Sequence, residues 1–305
     1  MATANPMTRM LTPEDLLTDR SLRTRWRIGF DRAVGWVLPL LFGVAILPIL
    51  AVVYYVGSRA LPTLTVTVLT STSLTAGVDV LGVPIICTFE IMAVATLLAV
   101  ALGLFGGIAT AEFLPDRLAG WIRTTANMLA GTPSVVMGYF GYFTFVLYFG
   151  WGLSLISGAF TLAFFMTPYV FRTADLAFTS VPRHVREAAY GSGAGPLQYI
   201  LRIGSRIALP QILTGVFLAM AIGVGETAPI VLTTAAATIV PHSLFSPATF
   251  LTALIFANYG SSLGAGYVNV AFQAAFILIV VVMLLNVLVR IVSARYQKKL
   301  EGLYL

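Results

Sequence analysis

Val34–Val56 reads VGWVLPLLFGVAILPILAVVYYV, a run of 23 residues without one charged side chain. A hydrocarbon core about 30 Å thick takes about 20 helical residues to cross, so this run is long enough to span it. Pro39 and Pro48 lie inside it. They do not argue against a helix, because neighbouring helices in a membrane re-satisfy the backbone groups that a proline frees. Five further stretches share this character: 86–111, 124–149, 157–178, 208–232 and 266–289. The expected fold is all-α and polytopic, with about six transmembrane helices.

Composition points the same way. Hydrophobic residues make up 58% of the 305 and charged residues 10%, and the mean hydropathy is +0.92. A soluble domain normally carries about 25% charged residues; this chain has too few to clothe its surface, and lipid supplies the missing solvent. The net charge of +6 comes from 16 Arg and 2 Lys set against 12 acidic residues. The basic residues sit between apolar stretches and form no stripe with interleaved aromatics, so no nucleic-acid partner is expected. Cys87 is the only cysteine, which excludes a disulfide framework and a cysteine metal cluster. His184 and His242 lie far apart, lack companion ligands and read as solvated loop residues, so no metal site is expected. The only lysines, Lys298 and Lys299, stand in the tail, whereas a P-loop needs a lysine before its Ser or Thr. With no HExxH or GxSxG either, catalytic residues are expected to be absent, and the chain to bind no cofactor of its own.

Orientation follows from Lys and Arg in the connections. All but Arg59 fall on one side: the segment 1–33, the connection with Arg117 and Arg123, the segment Arg172–Arg206, and the residues from Arg290 onward. The first apolar run is too long for a signal-peptide core and no small-residue cleavage site follows it. The expected organisation is a cytoplasmic tail over 1–33, a membrane domain over 34–290 and a cytoplasmic tail over 291–305. Both termini then face the cytoplasm of a multi-pass protein of the cell (inner) membrane. Of the outer connections, 57–85 is rich in Thr, Val and Ser and is expected to be strand-like or irregular. In 233–265, the stretch Ala248–Tyr259 suits a short interfacial helix or a half-span.

The segment between the fourth and fifth stretches is the largest on the basic side. Residues 179–210 read TSVPRHVREAAYGSGAGPLQYILRIGSRIALP. Thr179 or Ser180 is expected to cap a helix with Pro182 in its first turn. Gly191, Gly193 and Gly195 then break it, and Pro196 opens a second helix toward Arg206. A helix–turn–helix of this kind, anchored in two spans, is the shape of a knob that fits a groove on another protein.

Within it, Glu187-Ala188-Ala189, three residues, Gly193, nine residues and Ile203 resemble the EAA loop of ABC importer permeases. That resemblance implies a type I ABC importer permease fold. It also implies a coupling loop over about 179–207 that docks on separate ATPase subunits, a dimer, which carry ATP and Mg. Glu187, Ala188, Ala189 and Gly193 would make that contact. More of the chain is similar to the phosphate-specific branch, the PstA type. The stretches concerned are Gly225-Glu226-Thr227-Ala228-Pro229, Ala130–Gly138 (AGTPSVVMG), Arg172-Thr173-Ala174-Asp175 with Val181-Pro182-Arg183, and Ala111-Glu112-Phe113. The partner permease PstC typically carries GETMAV at the first of these. The resemblance implies phosphate as the solute, a PstC-like second permease and an extracytoplasmic phosphate-binding protein. Two positions depart from the family pattern: Ser205-Arg206 stands where Leu-Pro is usual, and Ile222 stands where an Arg is common.

Ionisable residues within spans are costly and mark function by default. Glu226, with Thr227 beside it, lies in the fifth stretch between Gly225 and Pro229. Arg172 and Asp175, three apart near the inner end of the fourth, are spaced to pair on one helix face; alternatively, Arg172 presents its guanidinium to a passing oxyanion. Thr132 and Ser134 would face an anion if the third stretch breaks at Pro133. Glu90 reads as an interfacial carboxylate. The alternatives to a phosphate permease are the same machine carrying another solute, or a carrier that works without an ATPase. A carrier would be expected to show inverted repeats and broken helices at matching positions, and neither is read in the sequence.

Overall fold

Lipid offers a backbone no hydrogen-bond partner, so a charge-free stretch closes its own bonds as helix. The computed structural model describes residues 13–70, 81–237, 239–259 and 265–304. The elements found in them are helical: α1 (Pro13–Ala60), α2 (Val66–Thr70), α3 (Gly82–Glu112), α4 (Asp116–Ala130), α5 (Ser134–Gly141), α6 (Leu155–Thr179), α7 (Arg183–Gly191), α8 (Pro196–Gln198), α9 (Ser205–Gly225), α10 (Ala228–Thr233), α11 (Leu251–Tyr259) and α12 (Ala265–Tyr304). Wider π-type turns over Tyr142–Tyr148 and Tyr199–Gly204 extend α5 and join α8 to α9. Met1–Tyr55 and Val56–Leu305 form two compact units. The first consists, among its described residues, of most of α1, whose side chains Trp36, Leu40, Phe42, Leu47, Leu50 and Tyr54 are exposed.

Five helical stretches are long and apolar enough to cross a membrane: Arg32–Ala60, Gly82–Glu112, Leu155–Thr179, Pro196–Gly225 and Gly266–Arg295. They cover five of the six stretches expected from sequence. The third, 124–149, is not one helix. It divides at Gly131-Thr132-Pro133 into the amphipathic α4 and a shorter apolar helix, Ser134–Tyr148. Proline removes a donor and disfavours helix at the residue before it, and α4 stops at Ala130. The fifth stretch breaks too, at Glu226-Thr227, leaving the six-residue α10 beyond α9.

The core is built around α6, which packs on α3 and on α9, while α12 packs on α9. Small residues make the closest of these contacts. A Cβ on Gly107 would lie 2.7 Å from both Ala174 Cβ and the Phe171 carbonyl, and one on Gly103 would lie 2.7 Å from Val170 Cβ. Glycines four apart thus let the α3 and α6 backbones touch, the usual device where lipid removes any hydrophobic drive between helices. Gly215 on α9 presses on Thr173 and Gly223 on Met166 of the same α6.

Other expectations fare differently. In 57–85 the described part holds the short helix α2 rather than a strand, and 71–80 lies outside the described residues. The Ala248–Tyr259 stretch forms α11, whose nine residues, about 14 Å at the α-helical rise, are too few to cross. Its Leu251 N–H donates to Thr88 Oγ1 of α3 at 3.0 Å. Of the segments read as tails, 13–33 belongs to α1 and 291–304 to α12.

Candidate functional site

The two places singled out in the sequence lie at the α7 turn and at the paired helix breaks. At the first, α6 ends at Thr179 and α7 starts at Arg183. Neither Thr179 nor Ser180 caps α7. Pro182 takes the N-cap position with extended backbone, and the Ser180 hydroxyl turns back to donate to the Ala177 carbonyl at 2.9 Å. The helix closes through Ser192 N–H to Ala188 O at 3.0 Å and Ala194 N–H to Ala189 O at 3.1 Å. Gly193 sits at φ +85°, a left-handed conformation that a residue with a Cβ enters only under strain.

This short helix is fastened by Arg186. Its guanidinium donates to Glu112 Oε1 at 2.7 Å, to Tyr199 Oη at 3.4 Å and to the Phe178 carbonyl at 3.4 Å, and lies 5.6 Å from the centre of the Tyr199 ring. The Tyr199 hydroxyl, followed by the nearby Glu112 charge, holds the guanidinium above its ordinary value against the opposing effect of burial. Glu112 ends α3 with its side chain only 4% exposed. One cation therefore ties α7 to the ends of α3 and α6 and to the turn that begins α9. Ala189 packs inward with Phe178 and Tyr199, while Ala188 and Glu187 face out. Glu187 is 67% exposed and meets only Arg183, at 3.1 Å, one turn back. An exposed pair of this spacing is worth about 0.3–0.5 kcal/mol, so it yields readily to a better partner.

At the second place, Ser134 opens α5 immediately after the Pro133 break, and its side chain lies beside the Glu226 carboxylate at the break between α9 and α10. The two interruptions meet. A Cβ on Gly138 would lie 2.9 Å from the Ala228 carbonyl, so α5 and α10 touch through backbone. The Thr252 hydroxyl of α11 donates to the Glu226 carbonyl at 2.6 Å, satisfying an acceptor freed by the break. Glu226 is half-buried, a carboxylate beside the Ser134 side chain at the point where the two helix breaks meet, which suits it to exchange partners with a polar solute.

The remaining expected residues are not gathered there. Thr132 turns its hydroxyl to the Met128 carbonyl at 3.1 Å, closing the last turn of α4. Thr227 begins α10 without a side-chain cap. Arg172 is exposed on α6 and does not pair with Asp175. Asp175 instead accepts two 2.8 Å bonds from the Nε and Nη2 of Arg123 on α4. Three apart on a helix is near enough for contact, but the bidentate fork of a neighbouring helix satisfies both carboxylate oxygens at once. Sequence reasoning missed Arg123, Arg186, Tyr199 and Thr252 as members of these networks. Glu112 gave a signal as a lone carboxylate ending an apolar stretch, although its partner lies 74 residues away.

Comparisons with known proteins bear on the family and the fold. A family model described as "Binding-protein-dependent transport system inner membrane component" matches residues 99–300. The chain is 33% identical over 189 residues to the "Phosphate transport system permease protein PstA 2" of Mycobacterium bovis, covering 61% of this chain and 62% of that one. It is 32% identical over 212 residues to the "Phosphate transport system permease protein PstA" of Haemophilus influenzae, covering 68% and 73%. Among solved structures, the MetNI methionine ABC transporter in inward-facing conformations aligns with a TM-score of 0.57 at 18% identity over 69% of this chain and 93% of that one. A bacterial ABC transporter involved in import of the acidic polysaccharide alginate aligns with a TM-score of 0.57 at 14% identity, over 88% and 99%. At such identities the likeness is one of fold: a type I ABC importer permease.

Proposed function

The chain belongs to the family of binding-protein-dependent transport system inner membrane components, and from that premise we propose that it is one membrane-spanning half of an ATP-driven importer of inorganic phosphate. The observation that carries the solute is the 33% identity to relatives called phosphate transport system permeases. It is supported by the GETAP sequence, which coincides with the break where Ser134 meets Glu226.

On this reading the chain is non-catalytic. Two ATPase subunits hold ATP and Mg and close against α7 and its counterpart on a second, PstC-like permease. An extracytoplasmic binding protein delivers phosphate. Both termini and residues 179–207 face the cytoplasm, a reading that the distribution of arginine supports. Glu187, with Ala188 beside it, is the exposed contact for the ATPase, and Gly193 sets the turn that presents it. Arg186 makes α7 rigid enough to carry a push into α3, α6 and α9. Ser134 and Glu226 line the route of the anion: as the breaks shift, the Ser134 hydroxyl leaves the carboxylate and turns to a phosphate oxygen.

Gentle detergent purification through a tag on this chain, with identification of bound subunits, tests the assembly. An ATPase and a second permease should come with it. A chain that reaches the membrane and purifies alone would contradict the proposal. Labelling of a cysteine placed at Ser192, in a Cys87→Ala background, from outside intact cells would overturn the orientation.

A further inference from the structure

The amphipathic helix α4 is held to α6 at its middle and at its end. Midway along it, Arg123 makes the paired 2.8 Å bonds to Asp175, whose side chain is 9% exposed against 39% for the arginine. At its finish, the Ala130 carbonyl accepts from the Tyr169 hydroxyl at 3.3 Å. The rest of its inward face carries Ala119, Ile122 and Ala126, small or apolar groups.

What α4 joins is the reason this matters. Its last residue is followed by Gly131-Thr132-Pro133, and then by Ser134 beside Glu226. Its anchor, Asp175, lies in the last two turns of α6, whose end is gripped through the Phe178 carbonyl by Arg186 of α7. Asp175 also lies where α6 packs closely on α3, its N 2.8 Å from where a Cβ on Gly107 would lie. A displacement of α7 thus reaches the end of α6 directly. From there α4 is the covalent path to the break at Pro133, and Arg123–Asp175 is the charged contact that makes it follow. A bidentate guanidinium–carboxylate pair fixes angle as well as distance, which a lone hydroxyl-to-carbonyl bond does not.

We propose that Arg123 and Asp175 are positioning residues for transport: their ion pair locks α4 to the α7-bearing end of α6, so that movement of α7 is delivered to the Ser134–Glu226 junction. Neither residue contacts the solute. The inference rests on the importer reading, but not on phosphate being the solute.

The test uses the complete importer, reconstituted with its ATPase, and a reporter cysteine replacing Val135, an exposed residue in the first turn of α5, in a Cys87→Ala background. The rate of alkylation at that cysteine is compared in nucleotide-free and ATP–vanadate-trapped complexes, a comparison that needs no solute. Failure of the phosphate reading would show separately, as absent phosphate uptake by the unsubstituted complex. The unsubstituted complex should show two different alkylation rates. Arg123→Asp and Asp175→Arg, each retaining its ATPase, should show one rate in both states, and the double exchange should restore the difference. Single variants that keep the full difference would overturn the proposal, as would a double exchange that fails to restore it. Should either single variant fail to assemble, Arg123→Lys carries the test, since it keeps the charge and loses the fork. A reduced difference there supports the lock, and an undiminished one overturns it.

Discussion

Replacing Arg186 by methionine keeps much of the aliphatic stem and deletes the cation that fastens α7. Glu112, 4% exposed, is then left as a buried carboxylate without its partner. Breaking a buried pair from one side costs about 3–5 kcal/mol. Arg186 is itself 31% exposed, so some water already reaches the pair and the lower end, about 3 kcal/mol, applies. At about 1.4 kcal/mol for each factor of ten, the open fraction of α7 should rise about a hundredfold. Amide hydrogen exchange reads that opening directly. The amides of Ser192 and Ala194, which bond to Ala188 and Ala189, should exchange about a hundredfold faster. Pairing Arg186→Met with Glu112→Gln removes both charges and should recover most of the protection, because no buried ion is stranded. A single variant whose α7 exchanges less than threefold faster, or a double variant as labile as the single, would refute the reasoning.

Three further outcomes are expected. Glu187→Lys removes only an exposed pair worth about 0.3–0.5 kcal/mol, so the melting temperature of the purified permease should stay unchanged while the ATPase retained per permease falls sharply. Gly193→Val forces a branched side chain to φ +85°, at a cost of about 1–2 kcal/mol. Co-purified ATPase should drop by about tenfold without loss of membrane insertion. For Glu226→Gln, uptake normalised to assembled complex should be abolished; unchanged specific uptake would remove Glu226 from the route, and a loss tracking abundance would make it a packing group.

The membrane class was legible because charge is expensive in lipid, and Val34–Val56 alone carries that argument. The glycine turn was legible for a related reason: Gly193 stands in a cluster of glycines on the polar side of the chain, where only a turn makes use of them. The breaks were not. Pro39, Pro48, Pro168 and Pro210 all lie inside helices, whereas helix stops before Pro133 and restarts just ahead of Pro229. The proline alone does not separate these cases; the tertiary setting does, and at the second break the Thr252 hydroxyl takes up the carbonyl of Glu226. The ion pairs were hidden for a similar reason. Asp175 has Arg172 beside it in sequence, yet its partner is Arg123, 52 residues earlier. Spacing on one helix gives the candidates for a pair, and packing between helices selects among them.

On the proposed function, this chain carries phosphate across the membrane under the drive of an ATPase docked on α7. The most direct measurement is phosphate uptake into proteoliposomes holding the purified complex, with the binding protein supplied on the outward side and ATP on the other. Uptake should require ATP, the binding protein and this chain together, and should fail with Glu187→Lys although ATP is present. Phosphate uptake that proceeds without ATP, or an assembled complex that hydrolyses ATP yet moves no phosphate, would contradict it.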